Sequence, residues 1–174
     1  LYGGKGNDNL VSGTEAAWNR WGGTRESVQN ARLFGGEGND RLHASVRGDG
    51  ESYTGGNQNL DQSAFLDGGS GNDTLDVRSY NSSKWAGSTK INTKAGDGDD
   101  SITIDSGDTY QGGLLNINAS GDKGNDTIRI GANSTNAGGS TNINADGGEG
   151  DDTIHINGHY NRGNTNINIS GGSG

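Results

Sequence analysis

Gly-Gly-Glu-Gly-Asn-Asp, at Gly35–Asp40, runs directly into Arg-Leu-His-Ala at residues 41–44. Glycines so placed let a backbone turn tightly and expose its carbonyls. The alternation after them sets Leu42 and Ala44 on one side of an extended segment. The hexapeptide recurs as GGKGND at Gly3–Asp8, GGSGND at Gly68–Asp73 and GGEGDD at Gly147–Asp152. Two looser copies are AGDGDD at Ala95–Asp100 and GDKGND at Gly121–Asp126, and a further one begins as GGSG at Gly171–Gly174.

Successive turns start 32, 33, 27, 26, 26 and 24 residues apart, a period that signals a solenoid. Alternate apolar residues follow each turn: Leu10; Leu42 and Ala44; Leu75 and Val77; Ile102 and Ile104; Ile128 and Ile130; Ile154 and Ile156. A second set precedes the next turn: Ala31 and Leu33; Ala64 and Leu66; Ile91 and Thr93; Ile117 and Ala119; Ile143 and Ala145; Ile167 and Ile169. Period-two alternation is a strand signal. Each coil therefore reads as turn, strand, loop, strand, turn. The loops are expected at roughly 12–30, 45–63, 78–88, 105–113, 131–140 and 157–164. Glu15–Trp21 is the one stretch read as a short helical turn. Parallel coils about 4.8 Å apart give six coils a length of roughly 30 Å. The fold class is all-β: a right-handed parallel β-helix of six coils, with glycine turns on one side and variable loops on the other. Residues 1–174 read as one such domain, a segment of a longer array.

Composition agrees. Only 26% of the residues are hydrophobic and 35 are glycine, too little apolar matter for an ordinary globular core. A stack needs only a thin apolar spine. The net charge of −9 disfavours nucleic acid, which needs a basic face. It favours divalent cations, because a column of stacked carboxylates is otherwise self-repelling. The hard oxygens of exposed carbonyls and of a fixed Asp are the ligands calcium takes. There is no cysteine, hence no disulfide framework, and no apolar stretch approaches a membrane span.

In glycine pattern and rhythm the chain resembles the RTX repeat family, whose nonapeptide is GGxGxDxUx with U a large apolar residue. The usual RTX roll has glycine turns on both sides, so the one-sided pattern here implies a single column of calcium ions. The resemblance implies an ion between each pair of neighbouring turns. Carbonyls would come from positions one and three of one turn and positions two and four of the next, with the sixth-position Asp of both. Those carboxylates are Asp8, Asp40, Asp73, Asp100, Asp126 and Asp152. Positions one and three are Gly3 and Lys5, Gly35 and Glu37, Gly68 and Ser70, Ala95 and Asp97, Gly121 and Lys123, Gly147 and Glu149, and Gly171 and Ser173. Positions two and four are Gly4 and Gly6, Gly36 and Gly38, Gly69 and Gly71, Gly96 and Gly98, Asp122 and Gly124, Gly148 and Gly150, and Gly172 and Gly174. Five ions fit between six complete turns, and a sixth, beside Asp152, would lack its second carboxylate. Latitude for unusual φ is assigned to position one, which makes Ala95 the departure that matters. Asp122 matters less, because Asp tolerates the left-handed region better than most residues.

Other signals yield structural readings first. Trp18, Trp21, Tyr53, Tyr80, Trp85, Tyr110 and Tyr160 fall in the expected loops, where they would shield the open side or contact a glycan or protein. The outward column Asn92, Asn118, Asn144 and Asn168 reads as a ladder that ties the stack. Thr103, Arg129 and His155 occupy equivalent outward positions. No nucleophile–base pair or zinc spacing accompanies them, so the chain is read as no enzyme. The function expected is a calcium-binding extracellular structural or interaction module: an adhesin, surface-layer or filament segment of a type I-secreted protein, folding on calcium. The alternative is a polysaccharide-acting β-helix lyase or epimerase, or its carbohydrate-binding module. Leu1 stands in register with Leu33 and Leu66 ahead of a turn, so copies are expected to associate end to end.

Overall fold

The structure, a computed structural model, describes residues 1–16, 25–48, 58–81, 87–109, 113–133, 139–158 and 163–174. Among these every regular element is a β-strand. One sheet has seven strands: β1 (Tyr2–Lys5), β3 (Arg25–Glu37), β5 (Gln58–Ser70), β7 (Ser88–Asp97), β9 (Leu114–Lys123), β11 (Ser140–Asp146) and β13 (Asn164–Ser170). The other has six: β2 (Asn9–Ala16), β4 (Arg41–Gly48), β6 (Thr74–Asn81), β8 (Ser101–Thr109), β10 (Thr127–Ala132) and β12 (Thr153–Asn157). Each sheet takes its strands in chain order, and all pairings are parallel. The chain alternates between the sheets, crossing by a glycine hexapeptide at one end of each coil. This is the parallel β-helix read from the spacing.

Equivalent residues stack in register, as in the run Leu10, Leu42, Leu75, Ile102, Ile128 and Ile154. A strand pointing alternate side chains inward buries each such column against the facing sheet. Leu33, Leu42, Leu66, Leu75, Ile102, Ile128 and Ile143 are fully buried. Ile154 and Ile156 are half-buried, and Ile167 and Ile169, in the last coil, are 39% and 58% exposed. Arg129 pairs with Thr103 on one side and His155 on the other, all three outward.

The strands outrun the expected loops. β2 reaches Ala16, β3 starts at Arg25, β4 reaches Gly48 and β5 starts at Gln58. Apolar alternation lapses there because the next inward residues are mostly polar. Gln29, Gln62, Ser79, Thr89, Ser106 and Thr141 are buried at these positions, beside Val46, Leu115 and Ala132. Some of these polar residues find partners inside: Gln62 Nε2 donates across to the Tyr80 carbonyl on the facing sheet at 3.0 Å, and Ser79 Oγ to Ser106 Oγ of the neighbouring coil at 3.0 Å. The helical turn expected at Glu15–Trp21 fails at its start, since Glu15 and Ala16 extend β2; its remainder lies outside the described residues. So do Trp18, Trp21, Tyr53, Trp85, Tyr110 and Tyr160. Tyr80 is not in a loop but on β6, 44% exposed, with the Arg47 guanidinium 5.6 Å from its ring centre.

Candidate metal centre

The six hexapeptides stack as closely as the strands. In each, the position-four N–H donates to the position-three carbonyl of the next turn: Gly6 to Glu37, Gly38 to Ser70 and Gly71 to Asp97, each at 2.8 Å. Left-handed φ occurs at positions two and four, as at Gly36 (116°) and Gly38 (124°), not at position one as expected. Asp122, at position two, takes φ 72° and is the one described non-glycine residue with positive φ. Its side chain accepts from Ser120 Oγ at 2.7 Å and pairs with Lys94 at 3.2 Å, which holds the departure in place.

Position one is glycine for want of space. A Cβ on Gly3 would stand 2.6 Å from Asp8 Oδ2 and 2.6 Å from the Gly35 carbonyl oxygen. At Gly35 the two atoms are Asp40 Oδ2 and the Gly68 carbonyl, at Gly68 they are Asp73 Oδ2 and the Ala95 carbonyl, and at Gly121 they are Asp126 Oδ2 and the Gly147 carbonyl, closer still. In these four turns the space beside the first glycine is thus taken by its own sixth-position carboxylate and by the next turn's first carbonyl. Ala95 carries a real methyl at the equivalent place.

Both oxygens of each Asp have distinct environments. Oδ1 accepts the N–H of the preceding turn's Asp: Asp8 N–H to Asp40, Asp40 to Asp73, Asp73 to Asp100, Asp100 to Asp126 and Asp126 to Asp152, at 2.6–2.8 Å. Oδ2 of all six is buried with no hydrogen-bond partner. Buried oxygens without a donor are costly, and six in one column are a shared device rather than a local defect. Burial pushes Asp73 up to about 6 and Asp100 up to about 7, and raises Asp126. The neighbouring Asp40, Asp126 and Asp152 charges add respectively to these shifts, against the backbone bond that each carboxylate accepts.

A second ladder, not foreseen from the sequence, runs the other way along position five. Asn39 N–H donates to Asn7 Oδ1, Asn72 to Asn39, Asp99 to Asn72, Asn125 to Asp99 and Asp151 to Asn125, at 2.8–3.0 Å. The signal was in the sequence, since position five is always Asn or Asp. The third-position charges are solvated, with Lys5–Glu37 at 3.0 Å and Lys123–Asp97 at 3.2 Å, surface pairs of small energetic weight.

Hard carboxylate and carbonyl oxygens side by side, with one oxygen of each carboxylate lacking a donor, fit calcium. Among the described residues no three acidic or imidazole groups come together. An ion here would therefore draw on the carboxylates of adjacent turns and on backbone carbonyls for the rest.

A family model for the RTX calcium-binding nonapeptide repeat matches the chain in four copies, at residues 1–15, 30–45, 65–78 and 144–155. These are the four turns with the full glycine pattern; the two with Ala95 and Asp122 fall outside the matches. No curated protein and no solved structure matches the chain.

Proposed function

We propose, on the premise that the chain is an RTX-type calcium-binding repeat protein, that it is an extracellular structural or interaction module whose folding is driven by one column of calcium ions. The observation that carries this is the row of six buried, donorless Oδ2 atoms. The ions would sit between adjacent turns, about five among six complete hexapeptides. Asp8, Asp40, Asp73, Asp100, Asp126 and Asp152 would give carboxylate oxygen, and the turn residues would give carbonyls. Calcium supplies the positive charge that lets these carboxylates stay ionised while buried. The chain supplies the rest: Oδ1 ladders that fix each carboxylate and glycines that leave it room.

Metal binding and folding are then one process. A protein that remains unfolded at low intracellular calcium and folds at millimolar extracellular calcium suits type I secretion and service in an adhesin, surface layer or filament. A calcium titration of the chelated protein, followed by far-UV circular dichroism, tests the central point. The spectrum should pass from coil to β with calcium and not with equimolar magnesium. A chelated protein with full β signal and an unchanged melting temperature would overturn it.

A further inference from the structure

The outer face of the seven-stranded sheet carries two columns of asparagine that the calcium turns do not use. One is Asn92, Asn118, Asn144 and Asn168; the other is Asn116, Asn142 and Asn166. Asparagine is poorly suited to strands, and these positions face outward, where nothing in the core demands it. A ladder that ties the stack accounts for only part of them. Asn118 Nδ2 donates to Asn92 Oδ1, and Asn142 Nδ2 to Asn116 Oδ1, both at 2.9 Å. Among the described residues no hydrogen bond engages the side-chain amides of Asn144, Asn166 or Asn168.

The columns wall two grooves that run along the helix axis, across the strands. One, of about 390 Å³, lies between the two asparagine columns, with Lys90 at its edge. The other, of about 180 Å³, lies between the Asn92 column and Lys94, Ser120 and Asp146, with Phe65 among its lining residues. Phe65 pairs in register with Asn92. Its ring stands 5.5 Å from that of Phe34, which stacks on Tyr2 at 4.7 Å. Amides therefore repeat about every 4.8 Å along the axis, with columns about 6.7 Å apart; Phe65 continues the Asn92 column, with Arg32 beyond it, and Phe34 and Tyr2 lie in the adjacent column.

The face carries both signs of charge, Arg32, Lys90 and Lys94 against Asp61, Asp67 and Asp146, so no single sign dominates it. Lys94 is tied to Asp122 at 3.2 Å. That disfavours polyanions and highly charged protein surfaces. Each amide offers both a donor and an acceptor, the pairing a sugar hydroxyl needs, and a rigid aromatic plane suits the apolar side of a sugar ring. The repeat of the amides along one line suits a polymer with a repeating unit of similar length.

We propose that this face binds a neutral linear polysaccharide lying along the helix axis, its hydroxyls on the two asparagine columns and its end over Phe65. The site is on the sheet, not on the loop side, and does not rest on the calcium reading.

The test uses the folded chain in calcium, with its circular dichroism recorded. Cellohexaose, maltohexaose and chitohexaose are titrated by calorimetry against tri-galacturonate as the anionic control. One neutral hexaose should bind, and Asn118→Ala/Asn144→Ala should weaken it by roughly tenfold, from two lost hydrogen bonds. Phe65→Ala should weaken it as well. Both variants should keep the wild-type spectrum and calcium affinity, since the altered side chains lie outside the core and the turns. No binding of any neutral hexaose, preferential binding of the uronate, or affinity unchanged in both variants would overturn the proposal. So would an asparagine variant whose only change is loss of self-association by sedimentation, which would make the face a contact between copies.

Discussion

Removing calcium at two pH values probes the carboxylate column directly. Burial lifts Asp73 from 3.8 to about 6 and Asp100 from 3.8 to about 7. Each holds a proton more tightly folded than unfolded. The stability these groups allow is therefore fully present below the unfolded value of 3.8 and is lost as pH rises through about 6 and then about 7. At about 1.4 kcal/mol per unit, the loss is about 3 kcal/mol for Asp73 and about 4 kcal/mol for Asp100. Together they approach the whole stability of an ordinary domain, about 5–15 kcal/mol. The calcium-free protein should thus hold β structure near pH 4.5 and lose it towards pH 8, where millimolar calcium restores it. Relief of net charge near the isoelectric point acts in the same direction, so a variant is needed to separate the two. Asp73→Asn keeps Oδ1 as acceptor for the Asp40 N–H, a 2.7 Å bond, and cannot ionise. Its amide nitrogen would also face the Ala95 carbonyl that now lies beside Oδ2. Removing about 3 kcal/mol of penalty should raise the calcium-free melting temperature at pH 8 by about 6–12 °C. It should also move the pH midpoint of unfolding upward, while lowering the melting temperature in calcium. Circular dichroism in calcium-stripped buffer reads all of these. If calcium-free Asp73→Asn at pH 8 melted no higher than wild type, or if calcium-free wild type melted alike at pH 4.5 and pH 8, burial of donorless carboxylates would not be the cause of the ion dependence.

Other outcomes follow from the same geometry. Asp73 stands between two neighbouring turns and Asp8 beside one, so Asp73→Ala should weaken two calcium sites and Asp8→Ala one, by calorimetric titration; equal losses would contradict shared ligands. Ala95→Gly removes the methyl that stands where glycine leaves space in the other turns, and should raise the number or affinity of bound ions by equilibrium dialysis. Ile128 is fully buried and Arg129 is exposed. Ile128→Ala should cost about 2–5 kcal/mol and Arg129→Ala under about 0.5 kcal/mol in urea denaturation; the reverse order would mean the inward register is wrong.

The extent of the coils was only partly legible. Alternation showed strands wherever the inward residues were apolar, as at Leu42, Ala44, Leu75 and Val77. It fell silent where Gln29, Gln62, Ser79 and Ser106 continue the interior, because a buried polar residue whose partner lies on another strand resembles a loop residue in sequence. The conformational role of the glycines was misplaced for a similar reason. A repeated glycine announces a constraint without saying whether it is one of φ or of space. Only the stacked turns show positive φ at positions two and four, together with crowding by the neighbouring turn there and by the sixth-position carboxylate at position one.

The sequence by itself determined the architecture. A fixed hexapeptide at intervals of 24–33 residues, flanked by period-two apolar pairs, can bury its thin apolar set only by stacking coil on coil. That repetition also marked the six Asp as one column, whose hard oxygens are of the kind calcium takes. What the tertiary structure decided is how each carboxylate divides its labour. Oδ1 is claimed by a backbone N–H about 26–33 residues away, and Oδ2 is left buried beside the next turn's carbonyl. Those partners belong to a neighbouring coil, so no local reading of one turn contains them. The same is true of the second asparagine column, Asn116, Asn142 and Asn166, and of the amides in both columns that no ladder bond engages.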